Sequence, residues 1–178
     1  NILIEELLKR KNYLACAWVA TSWNVGSRRN ETVQFKAEIL DYNIKEGKNY
    51  VDSHIVYAKG RSGGKPVNYM INKEALKYMK LWIEKRGYNH EYIFTTKYKG
   101  EINVASEGWS DDLCKNILSK ILDRRINVHL FKSSCITNLL EKGVDIKTVS
   151  KYVAQHESTE TTAIYDLRDD TEAKDNIF

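Results

Sequence analysis

Apolar residues recur at helical spacing from the first positions of the chain. Leu3, Leu7 and Leu8, then Leu14, Trp18 and Val19, fall on successive turns and predict helices over residues 2–10 and 12–22. The run Tyr13 to Ala20, "YLACAWVA", is apolar all round, which marks a buried helix. It is too short for a membrane span, which needs about 18 apolar residues or more. Gly26 breaks the pattern, and residues 28–40 predict a further helix or turn with Val33, Phe35 and Ile39 inward. The period then changes. "NYVDSHIVYAKG" and "KPVNYMIN" are β-branched and aromatic and flank the Gly-rich "GRSGG". They predict a β-hairpin near residues 50–72, with Val67, Tyr69 and Ile71 on one face. Pro66 falls at the start of the second strand, where its missing N–H is tolerated. Leu76, Met79, Trp82 and Ile83 restore the helical period over residues 73–86.

After a turn at Gly100, Ser110, Asp111 and Asp112 are capping candidates. The helix they would start carries Leu113, Cys114, Ile117, Leu118, Ile121 and Leu122 along one face. "SSCITNLLEKG" is helical and stops at Gly143. Asp145 caps a short helix through Val149 and Val153, and Ser158 or Thr159 caps a last one carrying Tyr165. The fold class is therefore α+β, mostly α, with one small antiparallel hairpin.

Composition narrows the class. With 178 residues, 42% hydrophobic and 29% charged, the chain suits one folded, soluble domain, residues 1–178, and not a disordered segment. The opening "NILIEELLKR" puts acids where a signal peptide needs cations, and a start at Asn1 points to a piece of a longer protein. Cys16, Cys114 and Cys135 form no CxxC pair, and the odd count favours a reducing, cytoplasmic setting with the three as buried fillers. The net charge of +4 hides an asymmetry. Residues 166–178 hold five acids and two bases, leaving 26 bases and 19 acids on the rest, +7. Such a body is a weak pointer to an anionic partner; on charge alone a mixed solvated surface is the commoner explanation.

Some polar residues have no packing role in this pattern. Arg28 follows the helix break, Lys59 enters the Gly-rich turn, His129 and Lys132 are spaced i, i+3 on one helix face, and His156 precedes the helix of Tyr165. The four His have no carboxylates at ligand spacing, so no metal site is expected, and "GRSGGK" lacks the strand-to-helix setting of a phosphate loop. Singly, each is an ordinary surface or packing residue. Jointly they are cations and proton carriers around one phenol. Arg forks match phosphate oxygens, His accepts a proton and Lys donates one, which suits covalent phosphoryl transfer through a tyrosine.

The segment "HLFKSSCITNLLEKGVDIKTVSKYVAQHESTETTAIY" resembles the C-terminal signature of the tyrosine recombinases, the phage integrase family. That signature is His-x-x-Arg, a helix ending Leu-Leu-x-x-Gly, a short helix, Gly-His, and Tyr nine residues on. Here it reads His129, Lys132, "LLEKG", Gln155-His156 and Tyr165. Upstream, "GSRRNE" is similar to the family's Gly-Leu-Arg-x-x-Glu through Gly26, Arg28 and Glu31, and "AKG" places Lys59 as the hairpin lysine.

The resemblance implies a helical tyrosine-recombinase catalytic domain, a site-specific DNA recombinase or integrase of a phage or mobile element. Tyr165 would attack the scissile phosphate to give a 3′-phosphotyrosine. Arg28 and Lys132 would clamp its oxygens, and His129 would accept the proton or touch the phosphate. Lys59 would protonate the leaving 5′-oxygen, with Lys65 as the alternative. His156 would bond the phosphate, and Glu31 would orient its neighbours. The implied partners are double-stranded DNA sites, a homotetramer on DNA and accessory DNA-bending proteins. The implied setting is the bacterial cytoplasm, at the nucleoid when on DNA, with no cofactor and no membrane. An N-terminal core-binding domain would precede this chain, and the tail 166–178 would pack in trans.

The chain departs from the signature at Lys132, which lacks the arginine fork, and at Gln155, which replaces glycine and could alter the turn. A catalytically impaired DNA-binding homologue and a type IB topoisomerase-like enzyme therefore stand as alternatives.

Overall fold

A buried helix organises the molecule. The structure is a computed structural model describing residues 2–58, 64–156 and 158–166. Helix α1 (Ile2–Lys9) leads into α2 (Tyr13–Val25), capped by Asn12, whose Oδ1 accepts the Ala15 N–H. α2 buries Leu14 through Ser22 and Val25, as its all-round apolar run requires. It packs against α1 and, later in the chain, against two long helices. Residues 28–40 resolve into a short helix, α3 (Arg29–Thr32), and a 3₁₀ turn (Ala37–Asp41). Phe35 and Ile39 are fully buried there.

The central hairpin has two antiparallel ladders. β1 (Tyr50–Asp52) and β2 (Val56–Ala58) form one arm, and β3 (Lys65–Val67) and β4 (Met70–Asn72) the other. β1 pairs with β4 and β2 with β3. The ladders differ in register by one residue, Val51 facing Ile71 but Val56 facing Val67. Ser53 spans the irregularity: its N–H donates to Tyr69 O, and its Oγ accepts the Tyr69 N–H. Val67, Tyr69 and Ile71 are all buried, as their alternation predicts.

Helix α4 (Lys73–Arg86) is capped by Asn72 and packs along α2. A second hairpin follows, β5 (Thr95–Tyr98) and β6 (Glu101–Val104), and corrects the expectation of a single one. Its sequence, "TTKYKGEINV", has the strand–Gly–strand form but leaves Lys97, Tyr98 and Glu101 exposed, so its hydrophobic signal is weak. The next helix starts earlier than Ser110. Ser106 caps α5 (Glu107–Leu113) by accepting the Trp109 N–H, and Asp111 and Asp112 lie on its exposed face. A π turn (Cys114–Leu118) carries it into α6 (Ser119–Ile121).

α7 (Val128–Glu141) packs on α2, and α8 (Ile146–Val149) runs into a π turn (Ser150–Ala154). α9 (Thr159–Ala163) is capped by Ser158. Tyr165 lies just past α9 rather than on it, in a turn where its N–H donates to Thr162 O. Trp18, Phe131 and Trp109 meet edge to face in the main core, and a small separate cluster of Ile136, Leu140, Val149 and Ala154 seats Tyr165. Each such buried large side chain contributes about 1.5–3 kcal/mol. Among the described residues no helix is long and apolar enough to cross a membrane.

Candidate active site

Gly26 brings the first piece into place. It ends α2 in the left-handed region, φ +70°, and a Cβ there would sit 2.9 Å from Val153 Cγ1 and 3.2 Å from Cys135 Sγ. A glycine therefore lets the end of α2 lie against α7 and the second π turn. Two residues on, Arg28 opens α3. Glu31 folds back on it, Oε2 accepting the Arg28 N–H at 2.7 Å and Oε1 accepting from Nη1 at 3.0 Å. The Tyr69 hydroxyl donates to the same carboxylate. Glu31 is fully buried, and the Arg28 side chain is 39% exposed. Burial opposes ionisation of Glu31. The bonds from Tyr69 and Arg28 outweigh it, so the carboxyl is held below its ordinary value. Arg29 and Lys36, the other cations near Glu31 in sequence, pair elsewhere, Arg29 with Glu107 and Asp111 and Lys36 with Glu91.

α7 supplies the second piece. His129, exposed near its start, has Nε2 3.2 Å from Tyr165 Oη. Lys132, one turn on, is buried, and its Nζ donates to Ala154 O at 2.8 Å. Burial first, then the nearby Arg28 charge, lowers its pKa to about 8.

The last piece follows the second π turn. Gln155 takes φ 55° and ψ 39°, the conformation a glycine would hold, so the turn is kept without one. Its Nε2 donates to Asn68 O at 3.2 Å and ties the turn to the central hairpin. His156 Nδ1 lies 2.9 Å from Thr162 Oγ1, and its ring stacks on Tyr165, centroids 6.1 Å apart at 24°. Burial, then Lys132, Arg28 and His129, brings the His156 pKa down to about 4, so the ring is neutral near pH 7. Thr137 Oγ1 donates to Tyr165 O at 3.1 Å and fixes the backbone behind the phenol.

Arg28, Glu31, His129, Lys132, His156 and Tyr165 thus converge from α3, α7 and the last turns. Lys65 lines a cleft of about 460 Å³ with His156. Lys59 and the tail from residue 167 lie outside the described residues. Sequence reasoning missed Tyr69 and Thr162 as supports. The signal for Tyr69 was a hydroxyl on a buried strand face, which needs a partner. The three cysteines are buried and free, and burial raises each thiol, Cys114 and Cys135 to about 12.

The fold is that of the tyrosine recombinase catalytic domains. It superposes on the crystal structure of XerA recombinase with TM-score 0.70 at 17% identity, over 98% of this chain and 60% of that one. It superposes equally, TM-score 0.70 at 19% identity, on XerH site-specific recombinase bound to palindromic difH substrate in a post-cleavage complex, over 99% of this chain and 49% of that one. The chain belongs to the phage integrase family, whose pattern matches residues 5–172. It is 57% identical over 180 residues to the SPbeta prophage-derived recombinase-like protein YomM of Bacillus subtilis (strain 168), covering all of this chain and 54% of that protein. The chain spans about half the length of the curated relatives it matches.

Proposed function

We propose that the protein cleaves and rejoins DNA strands at specific sites through a phosphotyrosine at Tyr165. The observation that carries this is the phenol itself, 3.2 Å from His129 and stacked on neutral His156, beside Arg28 and Lys132. Tyr165 Oη forms a bond to phosphorus as the bond to the 5′-oxygen breaks, and His129 Nε2 takes the phenol proton. Arg28, aimed by Glu31, and Lys132 face the charge that grows on the non-bridging oxygens. His156, with Nδ1 held by Thr162, turns Nε2–H to the same phosphate. Lys59 or Lys65 gives a proton to the departing 5′-oxygen. Attack by another strand's 5′-hydroxyl reverses these steps, so the bond energy is conserved and no nucleotide cofactor is spent.

The prophage origin in the name of YomM supports a mobile-element role, and the transposon right end DNA bound by the similarly folded Tn1549 transposon integrase supports DNA as partner. Assembly as a tetramer on paired sites, with bending proteins, in the bacterial cytoplasm belongs to the same reading. The test is to trap the protein, in its full-length context, on nicked duplexes from the ends of its element. An SDS-resistant adduct that disappears in Tyr165→Phe is expected; a persisting adduct in that variant overturns the assignment.

One observation favours a second reading, a DNA binder without cleavage. Lys132 is buried, and one of its three N–H donors is taken by Ala154 O. Salt-sensitive DNA binding with no adduct, and an adduct restored by Lys132→Arg, would select it.

A further inference from the structure

Between α3 and the central hairpin stands Gln34, a half-buried residue that the hydrophobic pattern does not mark. Its side-chain amide acts as a strand would. Oε1 accepts the Tyr57 N–H at 2.9 Å, and Nε2 donates to Tyr57 O at 2.9 Å. Nε2 also donates to Asn30 O in α3 at 2.7 Å. The Gln34 backbone O lies 3.1 Å from His54 Nε2, just ahead of β2. Tyr57 can be held this way because it faces Pro66, which has no N–H to offer. A pair without mutual hydrogen bonds turns its N–H and C=O off the ladder. The outer edge of β2 is thus completed by one side chain rather than by another strand. The next pair along is Ala58 with Lys65. Gly64, φ +89°, lets the chain before Lys65 close on Ala58 O, which a Cβ would approach to 2.5 Å. Lys65 in turn lines the cleft of His156. One amide therefore connects the helix that Arg28 opens to the arm that carries the candidate acids.

We infer, on the recombinase reading above, that Gln34 is a positioning residue for proton delivery to the departing 5′-oxygen. In that reaction Tyr165 Oη bonds phosphorus, the bond from phosphorus to the 5′-oxygen breaks, and the proton of a lysine on the β2–β3 arm passes to that oxygen. A lysine carried on a two-stranded arm meets one oxygen only if the arm itself is held. Gln34 grips both backbone groups of Tyr57, two residues before Lys59 in sequence and next to the Ala58–Lys65 pair. None of its side-chain bonds is to Arg28 or Glu31. Its loss should therefore weaken proton transfer to the leaving oxygen and spare the phosphate clamp.

The experiment follows adduct formation by the full-length protein on paired nicked duplexes, one ordinary and one with sulfur in place of the bridging 5′-oxygen. Sulfur leaves as a thiolate and needs no proton, since thiols ionise near pH ~8.5. Gln34→Met, close in size but without the donors or the acceptor, should slow the oxygen duplex by about 10- to 100-fold and cleave the sulfur duplex at the wild-type rate. Gln34→Glu keeps an acceptor for the Tyr57 N–H but loses the donors, and should show the same selectivity. An unfolded variant would cleave neither duplex, so rescue by sulfur is a readout that lost structure cannot give. Arg28→Ala, which breaks the clamp, should slow both alike. Of Lys59→Ala and Lys65→Ala, the one rescued by sulfur is the acid. Equal slowing of both duplexes by the Gln34 variants, or slowing of neither, overturns the inference, as does failure of sulfur to rescue either lysine variant. Wild type without an adduct on either duplex removes the recombinase reading, and the role of Gln34 with it.

Discussion

At the scale of single residues, Lys132 decides most. An arginine in its place would stay charged at any working pH, whereas burial leaves this lysine titrating at about 8. Cleavage at subsaturating DNA reports the free protein's ionisations. Its rate should fall as pH rises through about 8, when the clamp loses its charge, and Lys132→Arg should remove that limb. His156, titrating at about 4, adds no limb near neutrality. Stability should move the other way. The folded-state pKa is depressed below the unfolded value of about 10.4, so the unfolded chain binds the extra proton between them. The contribution is absent below about pH 8, grows as pH rises and is complete above about 10.4, reaching ~3 kcal/mol. Urea melts of wild type and Lys132→Met across that range should diverge in this sense; parallel curves would mean that the ammonium is not desolvated. Tyr69→Phe tests the support beneath Arg28. It deletes one donor to a buried carboxylate and should cost about 1.5–3 kcal/mol in the same melts. Glu31 would then protonate at higher pH, so the acid limb of cleavage should shift upward, a change that lost packing alone would not produce.

At the scale of elements, two glycines in one conformation separate backbone from space. Gly26 and Gly87 both close helices at φ near +70°, but a Cβ on Gly87 would meet nothing within 4 Å. Gly87→Ala should cost only the left-handed term, about 1–2 kcal/mol. Gly26→Ala should cost about 1–3 kcal/mol more for overpacking against Val153 and Cys135. It should also slow cleavage, since Arg28 lies two residues past Gly26 and Lys132 one turn before Cys135 on α7; equal midpoints for the two variants in urea would mean that the close approach is absent. The elements that sequence reasoning found are those with strong periodicity. α1 and α4 have apolar stripes, α2 is apolar all round, and the first hairpin buries alternate residues, Val67, Tyr69 and Ile71. The second hairpin was missed because its strands are half exposed and carry little apolar alternation. The start of α5 was misplaced because Ser106 and Ser110 are both capping residues, and local chemistry does not rank them. The candidate site was legible in Arg28, His129, Lys132, His156 and Tyr165, whose spacing the resemblance carried. Its supports were not, because contacts such as Tyr69 to Glu31, 38 residues apart, have no local pattern. Gln155 shows the opposite limit: the residue type argued for a changed turn, and the hydrogen bonds at each end keep it.

At the scale of the whole molecule, charge couples the acidic tail to the proposed DNA surface without any contact being specified. Residues 167–178 hold four acids and two bases, so ending the chain at Asp166 raises its formal charge from +4 to +6. If the tail acts only through its field, truncation should tighten nonspecific duplex binding at low salt. The gain should vanish as the Debye length shrinks to about 3 Å near 1 M. Cleavage per bound molecule should stay constant. If the tail instead packs on a neighbouring protomer, as the family resemblance implies, truncation should reduce assembly and adduct formation at every salt concentration. Anisotropy and adduct yield measured together on the truncated protein separate the two. Tighter binding with full adduct yield excludes packing in trans, and lost adduct with unchanged affinity excludes a purely electrostatic tail.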